Sequence, residues 1–398
     1  MYLGGALLLG LSMCLTSCED VLGHWEKPTP PECTVTSLSL DKTSLVLYKD
    51  GGEKTATLKP TLVGSPGLDQ VIFISSKPSV ATVDEETGEV TAVDGGEAII
   101  TASIGDLKVD CEVKVYHKKH DISTDNAVIP EEEQWEIIGT SNTYKITIKD
   151  MATAVLNGVK ITSTTGPCIE TSGTTGSNII LVDGTENTMD AHSDTNGSAA
   201  INTAGGPLNI YGQTKGTGKL IAKGGESGAG IGGNKDNNSL AITILGGEIE
   251  ATGGLNAAGI GSGDCTPSAT GNTGGEITIL GGKVTAEGGK NAAGIGTGYS
   301  QSGDPAIKPA CGSITIDKAV ISVTATMGTG ASDPIGRGGK ASTPISNPDP
   351  YCGDISFDTV KAASAGVYSP AIAADGTYPY EGLTLTKSGD TWTLTPTN

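Results

Sequence analysis

The phrase Gly228-Ala229-Gly230-Ile231-Gly232 returns as Ala257-Ala258-Gly259-Ile260-Gly261 and again as Ala292-Ala293-Gly294-Ile295-Gly296. Weaker echoes are Cys168-Ile169, Ala199-Ala200-Ile201, Asp333-Pro334-Ile335-Gly336 and Pro370-Ala371-Ile372. The isoleucines stand at 169, 201, 231, 260, 295, 335 and 372, in steps of 32, 30, 29, 35, 40 and 37 residues. Repeats of this period mark a solenoid. A second phrase runs between them: Ala241-Ile242-Thr243-Ile244-Leu245-Gly246-Gly247-Glu248-Ile249-Glu250-Ala251 aligns with the stretch from Glu276 to Ala286. Its first half continues in Ser313-Ile314-Thr315-Ile316 and Asp354-Ile355-Ser356-Phe357. Each coil therefore carries three short strands. Glycine pairs turn the corners, because glycine accepts positive φ without steric cost. Three strands and three corners make a triangular parallel β-helix, right-handed by the usual rule for parallel crossovers. Isoleucine, valine and alanine fill its bore in columns about 4.8 Å apart, and seven coils give a rod roughly 34 Å long.

Equivalent places in successive coils meet in space. Asn256 and Asn291 share a corner, which predicts a hydrogen-bonded asparagine step. Cys311 and Cys352 each stand just before a glycine and an Ile-containing strand, so stacking brings them within disulfide range. Cys265–Cys311 is the rival pairing, and Cys168 has no evident partner. A bare last coil would expose apolar surface and unpaired backbone. The segment from Gly382 to Leu394, folded about Lys387-Ser388-Gly389-Asp390, reads as the hairpin that caps it.

Trp135 opens the repeat region. Before it, from about Val35 to Tyr116, short strands alternate with turn signals such as Lys49-Asp50-Gly51-Gly52 and Asp94-Gly95-Gly96. Leu107, Val109, Cys111, Val113 and Val115 alternate with polar residues as a half-buried strand does. Such spacing suggests a β-sandwich. The runs Val35-Thr36-Ser37-Leu38-Ser39-Leu40, Ser75 to Asp84, Gly88 to Val93 and Gly96 to Ala102 resemble the group-2 bacterial Ig-like domain, with Phe73-Ile74 where a tryptophan often stands. The resemblance implies a spacer or adhesive unit of a cell-surface protein. Cys33 before the first strand and Cys111 on the inward face of the last make a plausible disulfide. The polar stretch 118–134 reads as a linker, and His117 and His120, with no third ligand nearby, as its solvated residues rather than a metal pair.

At the N-terminus an apolar run from Leu3 to Leu15 has the length of a signal h-region and is too short to span a membrane. Leu15-Thr16-Ser17-Cys18 resembles the lipobox of bacterial lipoproteins, and Glu19-Asp20 partly resembles the surface-export signal of Bacteroidetes lipoproteins. The resemblance implies cleavage before Cys18, lipidation of Cys18 and residence on the outer membrane, exposed at the surface. The expected organisation is a signal peptide (1–17), a tether (18–34), an Ig-like domain (35–117), a linker (118–134) and the β-helix (135–398). The fold class is all-β: an Ig-like β-sandwich followed by a right-handed parallel β-helix with a C-terminal capping hairpin.

Composition narrows the function. The formal charge is −20, which opposes nucleic acid and anionic lipid as partners. Arg337 is the only arginine, and the histidines are His24, His117, His120 and His192. The Gly-rich phrase lacks the helix and lysine of a phosphate loop. No paired carboxyl motif of a glycosidase is evident, so no catalytic residue is assigned and a non-enzyme is expected, with a polysaccharide lyase as the remote alternative. Asp183, Glu186, Asn187, Asp190 and Asp194 crowd oxygen ligands into one stretch, which suits calcium. Tyr299, Tyr351, Tyr368, Tyr378 and Tyr380 are candidate platforms for sugar rings. The stretches Val155 to Ile161, Ile179 to Thr188 and Pro207 to Leu220 resemble a family of bacterial carbohydrate-binding β-helix proteins related in shape to polysaccharide lyases. That resemblance implies calcium and a pectin-like polysaccharide as partner, with no ligand set transferable residue by residue. The leading expectation is a lipoprotein that binds polysaccharide through its β-helix, the Ig-like domain serving as spacer. The alternative is an adhesive or structural surface protein with a protein partner.

Overall fold

Ile146, Ile169, Ile201, Ile231, Ile260, Ile295 and Ile335 are register partners from each strand to the next. All seven are fully buried. This column is one face of a parallel β-helix in the computed structural model, which describes residues 32–266, 274–301, 310–340, 350–357, 360–363, 375–380 and 382–397. A second column runs Leu208, Ile242, Ile277, Ile314, Ile355. A third runs Leu220, Ile249, Val284, Val323. The three faces belong to sheets of eight, thirteen and ten strands. Each buried isoleucine contributes about 1.5–3 kcal/mol of transfer free energy, so the bore is the main source of stability.

The corners depend on glycine where chains stack most closely. Gly232, Gly261 and Gly296 have φ of 137°, 135° and 137°. A Cβ at any of them would run into the carbonyl oxygen of the glycine one coil on. The asparagine step is formed: the Asn291 side-chain amide donates to Asn256 Oδ1 at 2.8 Å.

Cys311 and Cys352 form a disulfide with Cα atoms 4.6 Å apart. They are register partners on the adjacent strands Ala310–Cys311 and Tyr351–Cys352, which is why equivalent sequence places met. Cys265 is buried and takes no part in that bond; its register partner is Ser300. Burial pushes the Cys168 thiol up to about 12. The cap is a hairpin of Leu383–Ser388 and Thr391–Pro396, the latter lying antiparallel on Ser322–Thr326. Leu383, Leu385, Trp392 and Leu394 close the bore, none more than 2% exposed.

The N-terminal sandwich encloses its own core, including Leu47, Leu58, Phe73, Ile100, Cys111 and Val113. Phe73, which stands where the Ig-like family often has a tryptophan, is 3% exposed in this core. The expected Cys33–Cys111 disulfide is absent: Cys33 is exposed and Cys111 is a buried thiol. The cause is strand pairing. Ser37–Leu40 pairs with Pro60–Val63, and Thr34 continues that ladder to Ser65, so Cys33 lies on an edge while Cys111 lies in the core.

The expected linker is also corrected. The strand Leu107–Asp121 runs without a break from the sandwich into the β-helix. Its first part pairs with Gly96–Ile104 and with Ser44–Asp50. Its last residues, Lys118 to Asp121, pair with Trp135 to Ile138 of the first helical coil. Ile122, Ala127 and Ile129, all within 118–134, are fully buried in the bore. His120 is 4% exposed, with Nε2 3.1 Å from the carbonyl of Asp125. His117 Nδ1 accepts from the Gln134 amide at 3.0 Å. Neither histidine is a solvated linker residue.

Candidate functional site

The bridging strand brings the outer faces of two sheets together. Leu47 points into the sandwich core, so its neighbour Tyr48 points out of it, towards the coils. Tyr48, Tyr116 and Val155 pack as one buried cluster with Ile180 and Val182 at its edge. Tyr48 Oη donates to Glu136 Oε2 at 2.6 Å. The Asn157 amide donates to Glu136 Oε1 at 2.9 Å, and Lys119 Nζ lies 3.5 Å from Oε2. Glu136 is 5% exposed, so these three partners satisfy a carboxylate that burial would otherwise penalise. Burial, then the bond to Glu136, raises the Tyr48 phenol well above its ordinary range. Burial pushes Tyr116 up to about 12, with the charge of Glu136 adding to it. Both tyrosines stay neutral at any ordinary pH.

Beyond this closed junction the two faces part and leave a cleft of about 1010 Å³. One wall is the outer face of the sandwich, with Ser44, Val46, Ser76, Glu97, Ile99, Glu112 and Lys114. The other is the outer face of the coils, with Ile180, Asp183, Tyr211, Gly212, Gln213 and Thr214. Val46 and Ile99 are 46% and 43% exposed, large values for aliphatic side chains facing a concavity. The volume is at the upper end of the roughly 300–1,000 Å³ of ordinary ligand sites. Neutral hydrogen-bonding groups, an aromatic ring and aliphatic side chains converge there, with Glu97, Glu112, Lys114 and Asp183 among them.

Asp183 shapes this wall. Its Oδ2 accepts from the Lys215 amide at 2.9 Å and its Oδ1 from the Thr217 amide at 2.9 Å. The Asp183 amide donates to Gln213 Oε1 at 3.0 Å. Burial works to raise the Asp183 carboxyl, and the backbone donors of Lys215 and Thr217 outweigh it, holding the group below the usual range. Asp183 and Gln213 thus fix the turn that follows Tyr211.

The other residues considered for calcium do not converge with it. Asn187 is fully buried, accepting from the Val159 amide at 2.9 Å and donating to the Lys219 carbonyl at 3.1 Å. Asp194 is fully buried and accepts from the amides of Asn196 and Ser198. Asp190 accepts from the His192 amide, and Glu186 reaches Lys219 at 3.7 Å. Among the described residues no group of three or more His, Cys, Asp or Glu side chains is placed to share a metal ion. Asp190 and Asp194 brace turns, and Glu186 and Asn187 bridge coils.

The late tyrosines are also dispersed. Tyr378 and Tyr380 pack against the bore at its capped end, and Tyr380 meets Phe357 edge-on at 5.1 Å between ring centroids. Tyr351 is 37% exposed beside the disulfide, and Tyr299 is half-buried at a corner. Tyr368 and Cys18 lie outside the described residues. Arg337 is not a solitary surface cation: its Nε is 2.9 Å from Oδ2 of the buried Asp333. Tyr211 is the aromatic residue that reading the sequence for late tyrosines misses. The signal available for it was position: Tyr211 pairs with Ile180, two residues along from the Asn178–Asn209 rung, on the outward side of its strand.

Residues 34–114 match the family described as bacterial Ig-like domain (group 2). Residues 242–264 and 277–299 match the family described as beta helix repeat. The chain is therefore an Ig-like domain followed by β-helix repeats, the make-up of a surface or structural protein. No curated protein matches it. Among solved structures, a crystal structure of domains 4 and 5 of the S-layer protein SbsC is similar at 26% identity, with a TM-score of 0.18. That match covers 21% of this chain and about half of the other, 53%.

Proposed function

We propose that the protein is a non-catalytic cell-surface lipoprotein, anchored through Cys18 to the outer membrane, that binds polysaccharide. The cleft between the Ig-like domain and the first coils is the binding place. The observation that carries this reading is the convergence of Tyr211, Ile99 and Val46 with Ser44, Ser76, Gln213 and Thr214 around one cavity. Sugar rings present apolar C–H faces and a rim of hydroxyls, and such a lining meets both. The Ig-like domain then supplies one wall rather than only distance. A glycan array probed with residues 19–398, wild type and Tyr211→Ala, tests the reading. Binding that falls at least tenfold in the variant supports it; a wild type that binds no plant, host or microbial glycan sinks it.

A second reading is adhesion to a protein partner. It is favoured by the aliphatic side chains on the outer sandwich face, where Ile72, Ile74 and Ile99 are 41%, 60% and 43% exposed. Apolar groups gathered on one sheet face are a common mark of protein contact. Cell adhesion that Ile74→Glu abolishes, with glycan recognition intact, would favour this reading over the first.

A further inference from the structure

Charge at the cleft goes further than shape. Three carboxylates border it, Glu97, Glu112 and Asp183, against one cation, Lys114. Lys114 is already engaged, with Nζ 3.0 Å from Glu97 Oε1. Asp183 is held ionised by the amides of Lys215 and Thr217. Glu112 is exposed on the opposing wall. The cleft is thus net negative in a chain of formal charge −20. An acidic polymer entering it would meet like charge on both walls, Glu112 on one and Asp183 on the other.

Resting on the polysaccharide reading above, we infer that this cleft selects uncharged glycans and rejects polyuronates. A neutral sugar offers hydroxyl protons that carboxylates such as Glu112 accept, and such hydrogen bonds to a charged group are stronger than neutral ones. Its C–H faces lie against Tyr211 and Ile99. A uronate replaces one of those donors with a second acceptor of the same charge as the wall. The pectin-like ligand implied by sequence resemblance is therefore the disfavoured class.

The test is a titration of residues 19–398 with neutral cello-, manno- and xylo-oligosaccharides and with oligogalacturonate, the last with and without calcium. At least one neutral oligosaccharide should bind ten times or more tighter than oligogalacturonate, and Tyr211→Ala should weaken that binding at least tenfold. Glu112→Lys should weaken the neutral ligand and raise oligogalacturonate binding at least fivefold, with the gain lost at high salt. Oligogalacturonate binding tighter than every neutral ligand, or only with calcium, overturns the selectivity while leaving polysaccharide binding in place. Neutral binding indifferent to Tyr211→Ala removes the cleft as its location. Binding of none of these ligands overturns the selectivity, while the glycan array decides polysaccharide binding itself.

Discussion

Tyr48, on the second strand pairing with the bridging strand of the sandwich, donates a 2.6 Å hydrogen bond to Glu136, in the first coil of the β-helix. The two residues are 88 positions apart and both are buried. A hydrogen bond to a buried charged group is worth about 1.5–3 kcal/mol. Tyr48→Phe keeps the ring beside Tyr116, whose centroid is 5.9 Å away, and removes only the hydroxyl. The variant should lose about 2 kcal/mol in chemical denaturation. Hydrogen exchange should show the loss concentrated at residues 116–138. A variant as stable as the wild type would show that Lys119 and Asn157 suffice for Glu136.

Asp264 predicts an unusual response to pH. It is 2% exposed, and its Oδ1 is buried with no hydrogen-bond partner. Oδ2 accepts from Gln301 at 2.6 Å and from Asn256 at 3.4 Å. Burial pushes the carboxyl up to about 6, with the charge of Asp236 adding to it and Lys235 opposing. A folded-state pKa above the unfolded value of about 3.9 means that its stabilising contribution is full below pH about 4. That contribution is lost as pH rises through about 6. The size is of order 3 kcal/mol. Melting wild type and Asp264→Asn between pH 4 and 8 should show a wild-type decline that is absent from the variant. Parallel curves would reject the assignment.

The disulfide closes a loop with a sequence separation of 41. Loop-closure entropy for that length corresponds to about 4 kcal/mol. Cys352→Ser should lower stability by about 2–4 kcal/mol. Limited proteolysis should then cut near Tyr351 before any site in the central coils. Equal protease resistance in wild type and variant would mean that the strand pairing alone holds the last coil.

Two glycines with positive φ separate backbone strain from close packing. At Gly184, φ is 73° and a Cβ would meet open space, so Gly184→Ala should cost about 1 kcal/mol. At Gly261, φ is 135° and a Cβ would meet the carbonyl of Gly296. Gly261→Ala should cost more than about 3 kcal/mol, strain and collision together. Equal losses in urea titrations of the two variants would rule out inter-coil packing as the reason for the glycine.

The bore was legible because its signal is periodic and redundant. Ile231, Ile260 and Ile295 carry the same flanking residues, and one misread coil would not have hidden the others. Cys311–Cys352 was legible for the same reason: equivalence along the chain becomes adjacency in space. Cys33–Cys111 had no such repeat to fix it. Cys111 was read correctly as inward, but only the pairing of Ser37–Leu40 with Pro60–Val63 shows where Cys33 lies.

The junction was hidden by a change of parity. Along the bridging strand, Cys111, Val113 and Val115 are buried in the sandwich, whereas His120, and Ile122 just past the strand's end, are buried at the entrance to the coils. The switch passes through His117-Lys118-Lys119, so alternation breaks and the segment resembles a polar linker. The acidic phrase failed differently. Asp183 bonding to two backbone amides and Asn187 bridging coils use the same letters that a calcium loop would use. Tyr211 gained its place from the Ig-like domain opposite it, which no local stretch encodes.

The bridging strand also sets where the molecule can be divided. A module joined to its neighbour by a loose connector can be duplicated, swapped or shed without harm to either side. Here one fifteen-residue strand, Leu107–Asp121, supplies hydrogen bonds to both halves. Cutting it at Tyr116 would leave the sandwich without its junction and the first coil without its outermost partner. Removing the Ig-like domain alone would therefore strip the opening coil of backbone partners, a dependence that rungs far down the rod do not share.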